Sequence, residues 1–197
     1  MSAFETARAA MLAEAQKPRI GWGRRAVTLM LASLGTATVV ALVAALMGKT
    51  PELRMTVIPL FISGAWLAFA ASRPGRGWVR WVGAASAVGV SVALVLLRHE
   101  GTGAPHAHSE FSCTVLHVLA AVPAVFAALW LLRAMAPSWV RALCAGLAAG
   151  VTGAVLGEML CAGDAMHVML FHLTAWTGLT ALVVLVSSRL SRTSWAP

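Results

Sequence analysis

Cysteine, histidine and glutamate residues in the second half of the chain have the types and spacing that could do chemistry. Cys113 and His117 are four residues apart, so both would project from one face of a helix. Glu158 precedes Cys161 by three residues and would share its helix face in the same way. His167 and more distantly His172 follow along the chain. Thiolate and imidazole together suit soft metal ions such as copper or zinc.

The composition around these residues is that of a membrane protein. Of the 197 residues, 59% are apolar and 11% are charged, whereas a soluble domain carries about 25% charged residues. The formal charge is +8, but the basic residues stand in short segments between apolar runs. This pattern is typical of topology signals and not of a nucleic-acid-binding surface. We therefore expect no direct contact with nucleic acid.

Six apolar stretches approach or exceed the roughly 20 residues that a helix needs to cross a bilayer. We predict an all-α integral membrane bundle in which a short N-terminal amphipathic helix precedes six transmembrane helices. The predicted domains are an N-terminal tail (1–25), a transmembrane sensor domain (26–188) and a C-terminal tail (189–197). The predicted spans are Ala26–Met47, Met55–Ser72, Val79–Leu97, Cys113–Leu132, Ala142–Leu160 and Met166–Ser187.

The charges between the spans predict the orientation. With the N-terminus in the cytoplasm, 12 of the 15 Lys and Arg residues lie inside and three, Lys49, Arg54 and Arg98, lie outside. Short loops rich in Lys and Arg stay on the cytoplasmic side. We therefore predict a multi-pass protein with both termini in the cytoplasm.

This topology separates the three cysteines. Cys113 opens the fourth span and Cys161 closes the fifth, so both face outward, whereas Cys144 lies near the inner end of the fifth span. A short inner loop joins these two spans, which should be antiparallel neighbours. A Cα separation below about 7 Å would then allow a disulfide. Three interpretations stay open: a structural disulfide or packing thiols, a redox-responsive thiol pair, and a soft-metal site.

The metal interpretation combines the two outer cysteines with one or two of His117, His167 and His172. Glu158 is a further candidate ligand, because a carboxylate at the membrane boundary is costly unless it is paired. We expect its partner to be His117 or His172.

Four glycines recur along the fifth span. Gly146 and Gly150 form one G-x-x-x-G pair, and Gly153 and Gly157 form another. Small residues at this spacing let helix backbones approach closely in a membrane. They predict close packing inside the bundle or, as the alternative, a seam with a second copy.

The tail before the first span reads as an amphipathic helix over residues 2–17. Ser2 and Glu5 have the spacing of a capping box. An apolar stripe then runs along one face through Phe4, Ala7, Met11, Leu12 and Ala15. This helix either lies on the inner leaflet or binds a groove of a cytoplasmic partner.

The chain resembles the NrsF-type (negative regulator of sigma F) membrane anti-sigma factors of bacteria. The resemblance rests on the short tail, the six spans, Cys113 opening span four, Cys161 closing the Gly/Ala-rich span five, and His172 in span six. It implies a protein of the bacterial inner membrane whose tail residues Phe4, Ala7, Met11 and Leu12 sequester an extracytoplasmic-function sigma factor. It also implies that metal or oxidative stress acts on the outer cysteines to release that factor.

Two other classes of function fit the sequence less well. A membrane thiol oxidoreductase needs a reactive thiol pair, usually C-x-x-C, and a resolving pair, whereas this chain has one distant pair. A metal or proton transporter needs polar residues across the whole membrane, whereas the ionisable groups here cluster on one side. We expect no enzyme activity and no fixed cofactor, with copper or zinc acting as a signal if a metal binds.

Overall fold

A computed structural model describes Glu5 and residues 21–48, 55–75, 77–97, 110–135, 137–161 and 165–193. All regular structure in these ranges is helical. The helices that correspond to the fourth, fifth and sixth predicted spans extend one to six residues beyond those spans at one or both ends. The helices are α1 (Trp22–Leu46), α2 (Val57–Ser72), α3 (Gly77–Leu97), α4 (Glu110–Arg133), α5 (Trp139–Leu160) and α6 (165–193).

Five of the described helices are long and apolar enough to cross a membrane, and α2 is the shorter one. At 16 residues, α2 falls just below the usual minimum of about 17. The structure therefore supports five of the six predicted spans by length and composition. The predicted tail helix lies outside the described residues except for Glu5, as do the tail residues Phe4, Ala7, Met11 and Leu12.

The first helix begins earlier than its apolar run. The backbone N–H of Arg25 donates to the carbonyl of Gly21 over 3.2 Å, so helical hydrogen bonding includes Arg24 and Arg25. Hydropathy excluded these two arginines from the predicted span. A backbone hydrogen-bond ladder does not depend on whether its side chains are apolar, so charged residues can extend a helix into the interface.

Helix α5 lies at the centre of the bundle. Of its most apolar 18-residue window, 78% is buried, compared with 22–39% for the other four long helices. It packs against each of the other five helices. Its interior positions are mostly Ala and Gly, and such small side chains let surrounding helices approach its backbone.

Hydroxyl side chains join α1 to α5 inside the bundle. Ser33 Oγ donates to the carbonyl of Ala148 over 2.6 Å, and Thr152 Oγ1 donates to the carbonyl of Ser33 over 3.1 Å. Ser33 lies in a π-helical segment of α1, Leu31–Gly35. The carbonyl of Ser33 also accepts the backbone N–H of Thr36, so this oxygen takes part in the hydrogen bonding of its own helix and in the contact with α5.

The two ends of the bundle differ in chemistry. We call them the arginine end, which carries Arg25, Arg80 and Arg141, and the cysteine end, which carries Cys113 and Cys161. Helix α5 spans about 30 Å between Arg141 and Cys161 at 1.5 Å per residue. The predicted inner cysteine, Cys144, lies at the arginine end, where its Sγ is 3.3 Å from the carbonyl oxygen of Arg80.

We expect Ser33→Ala and Thr152→Val each to lower the free energy of unfolding by about 1 kcal/mol, as interhelical hydrogen bonds in membranes contribute that much or less. Thermal unfolding of the purified chain in detergent measures the change. Thr38→Val is the matched control, because the exposed Thr38 hydroxyl bonds within its own helix, to Leu34. Equal effects of Thr38→Val and Thr152→Val would contradict an interhelical role.

Candidate functional site at the cysteine end

Cys113 and Cys161 meet where the start of α4 lies beside the end of α5. Their Sγ atoms are 2.8 Å apart, and no disulfide joins them. Both side chains are nearly buried, with 7% and 9% of their surface exposed. A disulfide has an S–S length of about 2.05 Å, so an approach of less than about 1 Å would bring the two sulfurs to bonding distance. Helices α4 and α5 are therefore antiparallel neighbours, as predicted, and Cys113 and Cys161 meet at one end of the bundle.

Two histidines of α6 complete a four-residue group with these cysteines. The possible ligand atoms of Cys113, Cys161, His167 and His172 all lie within 4.8 Å of one another. Tetrahedral zinc places sulfur at about 2.3 Å and nitrogen at about 2.0–2.1 Å, so neighbouring ligand atoms stand about 3.3–3.8 Å apart. Two thiolates and two imidazoles at this spacing could hold a soft metal ion after small shifts.

A π-helical turn puts both histidines on the same side of α6. In an α-helix, residues five apart point about 140° away from each other. Residues Val168–Leu173 form a π segment, whose i→i+5 hydrogen bonds bring residues five apart closer to the same side of the helix. The rings of His167 and His172 consequently lie with their centroids 5.2 Å apart. Spacing in the sequence could not reveal this, because helical periodicity assumes a regular turn.

Glycines of α5 make room for the imidazole rings. A Cβ at Gly153 would overlap the ring of His117, and one at Gly157 would lie 2.5 Å from Nδ1 of His172. His117 is 1% exposed, and its ring centroid is 5.8 Å from that of His172. The glycine stripe therefore packs against side chains of this same chain, as the prediction of close packing within the bundle required.

Two predicted ligand candidates, His117 and Glu158, lie outside the four-residue group. The Glu158 side chain is 3% exposed, and its Oε2 accepts a hydrogen bond from Thr56 Oγ1 over 2.5 Å. This bond joins the start of α2 to the end of α5. The sequence predicts a histidine partner for Glu158 because a carboxylate in the membrane is costly unless it is paired. It could not indicate Thr56, which is 102 residues away along the chain and comes close only through packing.

The remaining sequence candidates near this end belong to segments outside the described ranges. Asp164 falls in residues 162–164, and three further histidines fall in residues 98–109: His99, His106 and His108.

The four-residue group can do two kinds of chemistry. A soft metal ion would separate the sulfurs to about 3.8 Å, the spacing of two thiolates on tetrahedral zinc. Oxidation would instead draw them together to about 2.05 Å. Starting from 2.8 Å, the two reactions displace the ends of α4 and α5 in opposite directions.

Gly153→Ala should destabilise the protein by about 1–3 kcal/mol, because the added methyl group meets the His117 ring and overpacking has costs of this size. Gly89→Ala is the matched control, since a Cβ at this exposed helical glycine meets nothing within 4 Å. It should be neutral or stabilise by up to about 1 kcal/mol. Thermal unfolding in detergent compares the two, and a stabilising Gly153→Ala would refute the packing described above.

Comparison with known proteins identifies one informative relative. The chain is 37% identical over 190 residues to the carotenogenesis protein CarR of Myxococcus xanthus, with 92% of this chain and 84% of that protein covered. No protein-family model matches the chain, and no solved structure matches it.

Proposed function

Because the chain belongs to the family of the carotenogenesis protein CarR, we propose that it is a membrane-bound anti-sigma factor of the NrsF type. The tail before α1 sequesters an extracytoplasmic-function sigma factor. Oxidants or soft metal ions act on the group at the cysteine end and cause its release. The proposal depends on one observation: Cys113, Cys161, His167 and His172 meet at one end of the bundle. Cys161 directly follows α5, the central helix.

A continuous set of contacts supports transmission from this group to the tail. Cys161 directly follows α5, and α5 is hydrogen-bonded through Ala148 and Thr152 to Ser33 of α1. The tail directly precedes α1. A shift of α5 along its axis would therefore pull on α1 and change how the tail is presented. A signal acts in this way only if it binds or modifies two arrangements of the bundle unequally.

The redox branch of the proposal uses a peroxide as the oxidant. One thiol loses its proton, and the thiolate attacks the peroxide O–O bond and becomes a sulfenic acid; the departing hydroxide takes up the lost proton and leaves as water. The second thiol then displaces the sulfenic oxygen as a second water, and the S–S bond forms. In total two thiols are oxidised, one hydrogen peroxide is reduced, and two waters leave. The 2.8 Å separation of the sulfurs favours the second step.

The metal branch uses the same four side chains. Zinc or copper would be held by two thiolates and two neutral imidazoles, and the two thiol protons would be released on binding. Either branch moves the ends of α4 and α5, and the bundle transmits that movement.

The proposed topology has six spans and places the arginine end in the cytoplasm of a bacterium. Helix α2 is short, but Thr56 at its start contacts Glu158 at the end of α5. Arg73, just after its last residue, contacts Arg80 at the arginine end. A helix that reaches both ends of the bundle is best explained as a span, and tilt or local thinning of the bilayer accommodates its length. The 12 to 3 distribution of basic residues supports the orientation.

The tail is tested by co-purification of the full chain with the extracytoplasmic-function sigma factors of its own organism. We expect Met11→Asp and Leu12→Asp to weaken sigma binding at least tenfold, since a carboxylate would have to be desolvated in an apolar groove. Arg8→Gln, on the polar side of the predicted tail helix, is the control and should leave binding unchanged. Normal sigma binding by both aspartate variants would exclude sequestration through the stripe.

The sensor is tested with a reporter of the sigma factor in cells treated with peroxide, zinc or copper. Cys113→Ser and Cys161→Ser should abolish both responses, while Cys144→Ser, at the arginine end, should respond as the wild type does. His167→Ala and His172→Ala should lose the metal response and still form the Cys113–Cys161 disulfide, which mass spectrometry of the non-reduced protein detects. Unchanged responses of the Cys113 and Cys161 variants would remove the thiol pair from the mechanism.

A further inference from the structure

His117 is a buried imidazole that the four-residue group leaves out. Its side chain is 1% exposed, and neither ring nitrogen makes a hydrogen bond of normal length and angle within the described part of the chain. One of them lies near the carbonyl of Gly150. Metal-binding histidines commonly direct one ring nitrogen to a backbone carbonyl and use the other for the ion. The surroundings of His117 are therefore those of a metal ligand.

The rings of His117 and His172 stand at a separation that one metal ion could bridge. Their centroids are 5.8 Å apart, and the ring planes are tilted by 33°. An imidazole nitrogen about 2.0–2.1 Å from a metal ion leaves its ring centroid about 3.2 Å from that ion. Two imidazoles on one ion then have centroids about 5.5 Å apart at a trigonal angle and about 6.4 Å apart when opposite. The observed separation lies between these two values.

Cys113 supplies a third donor beside these rings. It precedes His117 by four residues within α4, the spacing at which two side chains on one helix face can bind the same ion. Its donor atom also lies within 4.8 Å of that of His172. Because His117 is one turn further along α4, these three side chains enclose a position up to about 6 Å deeper in the bundle than the Cys113–Cys161 pair.

The charge of each set of donors determines which ion it can hold, because an uncompensated charge inside a membrane is costly. The thiolates of Cys113 and Cys161 together neutralise a divalent ion such as zinc. In the deeper set Cys113 is the one thiolate, and imidazoles bind metals in their neutral form, so this set neutralises a monovalent ion. Cuprous copper is such an ion, and thiolate ligands favour it. Glu158 belongs to neither set, since its carboxylate accepts the hydroxyl of Thr56 at the start of α2.

We propose that Cys113, His117 and His172 form a second metal position, selective for Cu(I), one helical turn deeper than the four-residue group. This inference rests on the metal branch of the proposed function and assigns a different ion to each set of donors. The two positions share Cys113 and His172, so the chain holds one ion at a time. Since His117 lies outside the four-residue group, binding draws its ring toward His172 and away from Gly153 of α5, on which it now lies.

X-ray absorption spectroscopy of the full chain in detergent counts the sulfur ligands of each ion. The chain is loaded with zinc alone or with copper alone, which ascorbate under nitrogen keeps cuprous. We expect one sulfur and two nitrogens around copper, and two sulfurs and two nitrogens around zinc, as in tetrahedral zinc sites. Two sulfurs around copper would overturn the deeper position. This measurement uses the unaltered chain, so it does not depend on how well a variant folds.

Competition with a chelator for each ion then measures the affinities of variants. His117→Gln, which keeps a polar side chain of similar size, should weaken Cu(I) binding at least tenfold and leave zinc binding unchanged. Copper affinity equal to that of the wild type, or an equal loss of both ions, would refute the role of His117. Cys144→Ser, which removes the thiol at the arginine end, is the control and should bind both ions normally.

His167→Gln separates the deeper position from the four-residue group. If that group alone binds metal, this variant loses zinc and copper together, whereas with the deeper position it loses zinc and keeps copper. Loss of both ions would therefore count against the inference. These measurements are made on the purified chain without a sigma factor. Copper bound as expected but without any copper-dependent release of the sigma factor would instead refute the metal branch of the proposed function.

Discussion

The absence of side chains along one face of α5 is the constraint on which the rest of the structure depends. A Cβ at Gly150, Gly153 or Gly157 would collide with Trp176, His117 or His172 respectively. The aromatic and imidazole rings therefore lie directly on the helix backbone, and Trp176 Nε1 donates to the carbonyl of Leu147 over 2.8 Å. Because α5 adds so little volume there, α4 and α6 come close enough for their cysteine and histidine side chains to meet.

Polar contacts also link α5 to its neighbours at several positions along its length. Near the cysteine end, Glu158 accepts the hydroxyl of Thr56. Further along, Ser33 and Thr152 join α1 to α5. At the arginine end, the thiol of Cys144 meets the carbonyl of Arg80. Polar groups buried in a membrane protein must find partners within the protein, so these contacts favour one arrangement of α1, α2 and α3 around α5.

This arrangement explains how chemistry confined to one end could matter at the other. Helix α5 packs against each of the other five helices, so a displacement of α5 would also displace the helices that contact it. Close-packed interfaces shift between discrete arrangements more readily than they deform continuously. The oxidised and metal-bound forms of the cysteine end displace the helix ends in opposite senses. Under the proposed function, the two signals would therefore need to favour the same released arrangement by different routes.

The sequence by itself determined the helical class, the approximate bounds of the helices, and the ends of the bundle to which Cys144 and the outer cysteines belong. These properties follow from composition and polarity summed over about 20 consecutive residues, which one sequence displays directly. The glycine spacing likewise predicted close packing. The relation of the chain to the CarR family does not alter these inferences, since each rests on residues of this chain.

Only the tertiary structure decided which of the candidate ligands meet. It grouped His167 and His172 with the cysteines through a π turn that regular periodicity cannot anticipate. It placed His117 against Gly153 and gave Glu158 a hydroxyl partner 102 residues away. Hydropathy and helical spacing describe each helix separately, whereas these contacts depend on how neighbouring helices are rotated and translated. That choice is set by side-chain volumes packed together across the whole bundle.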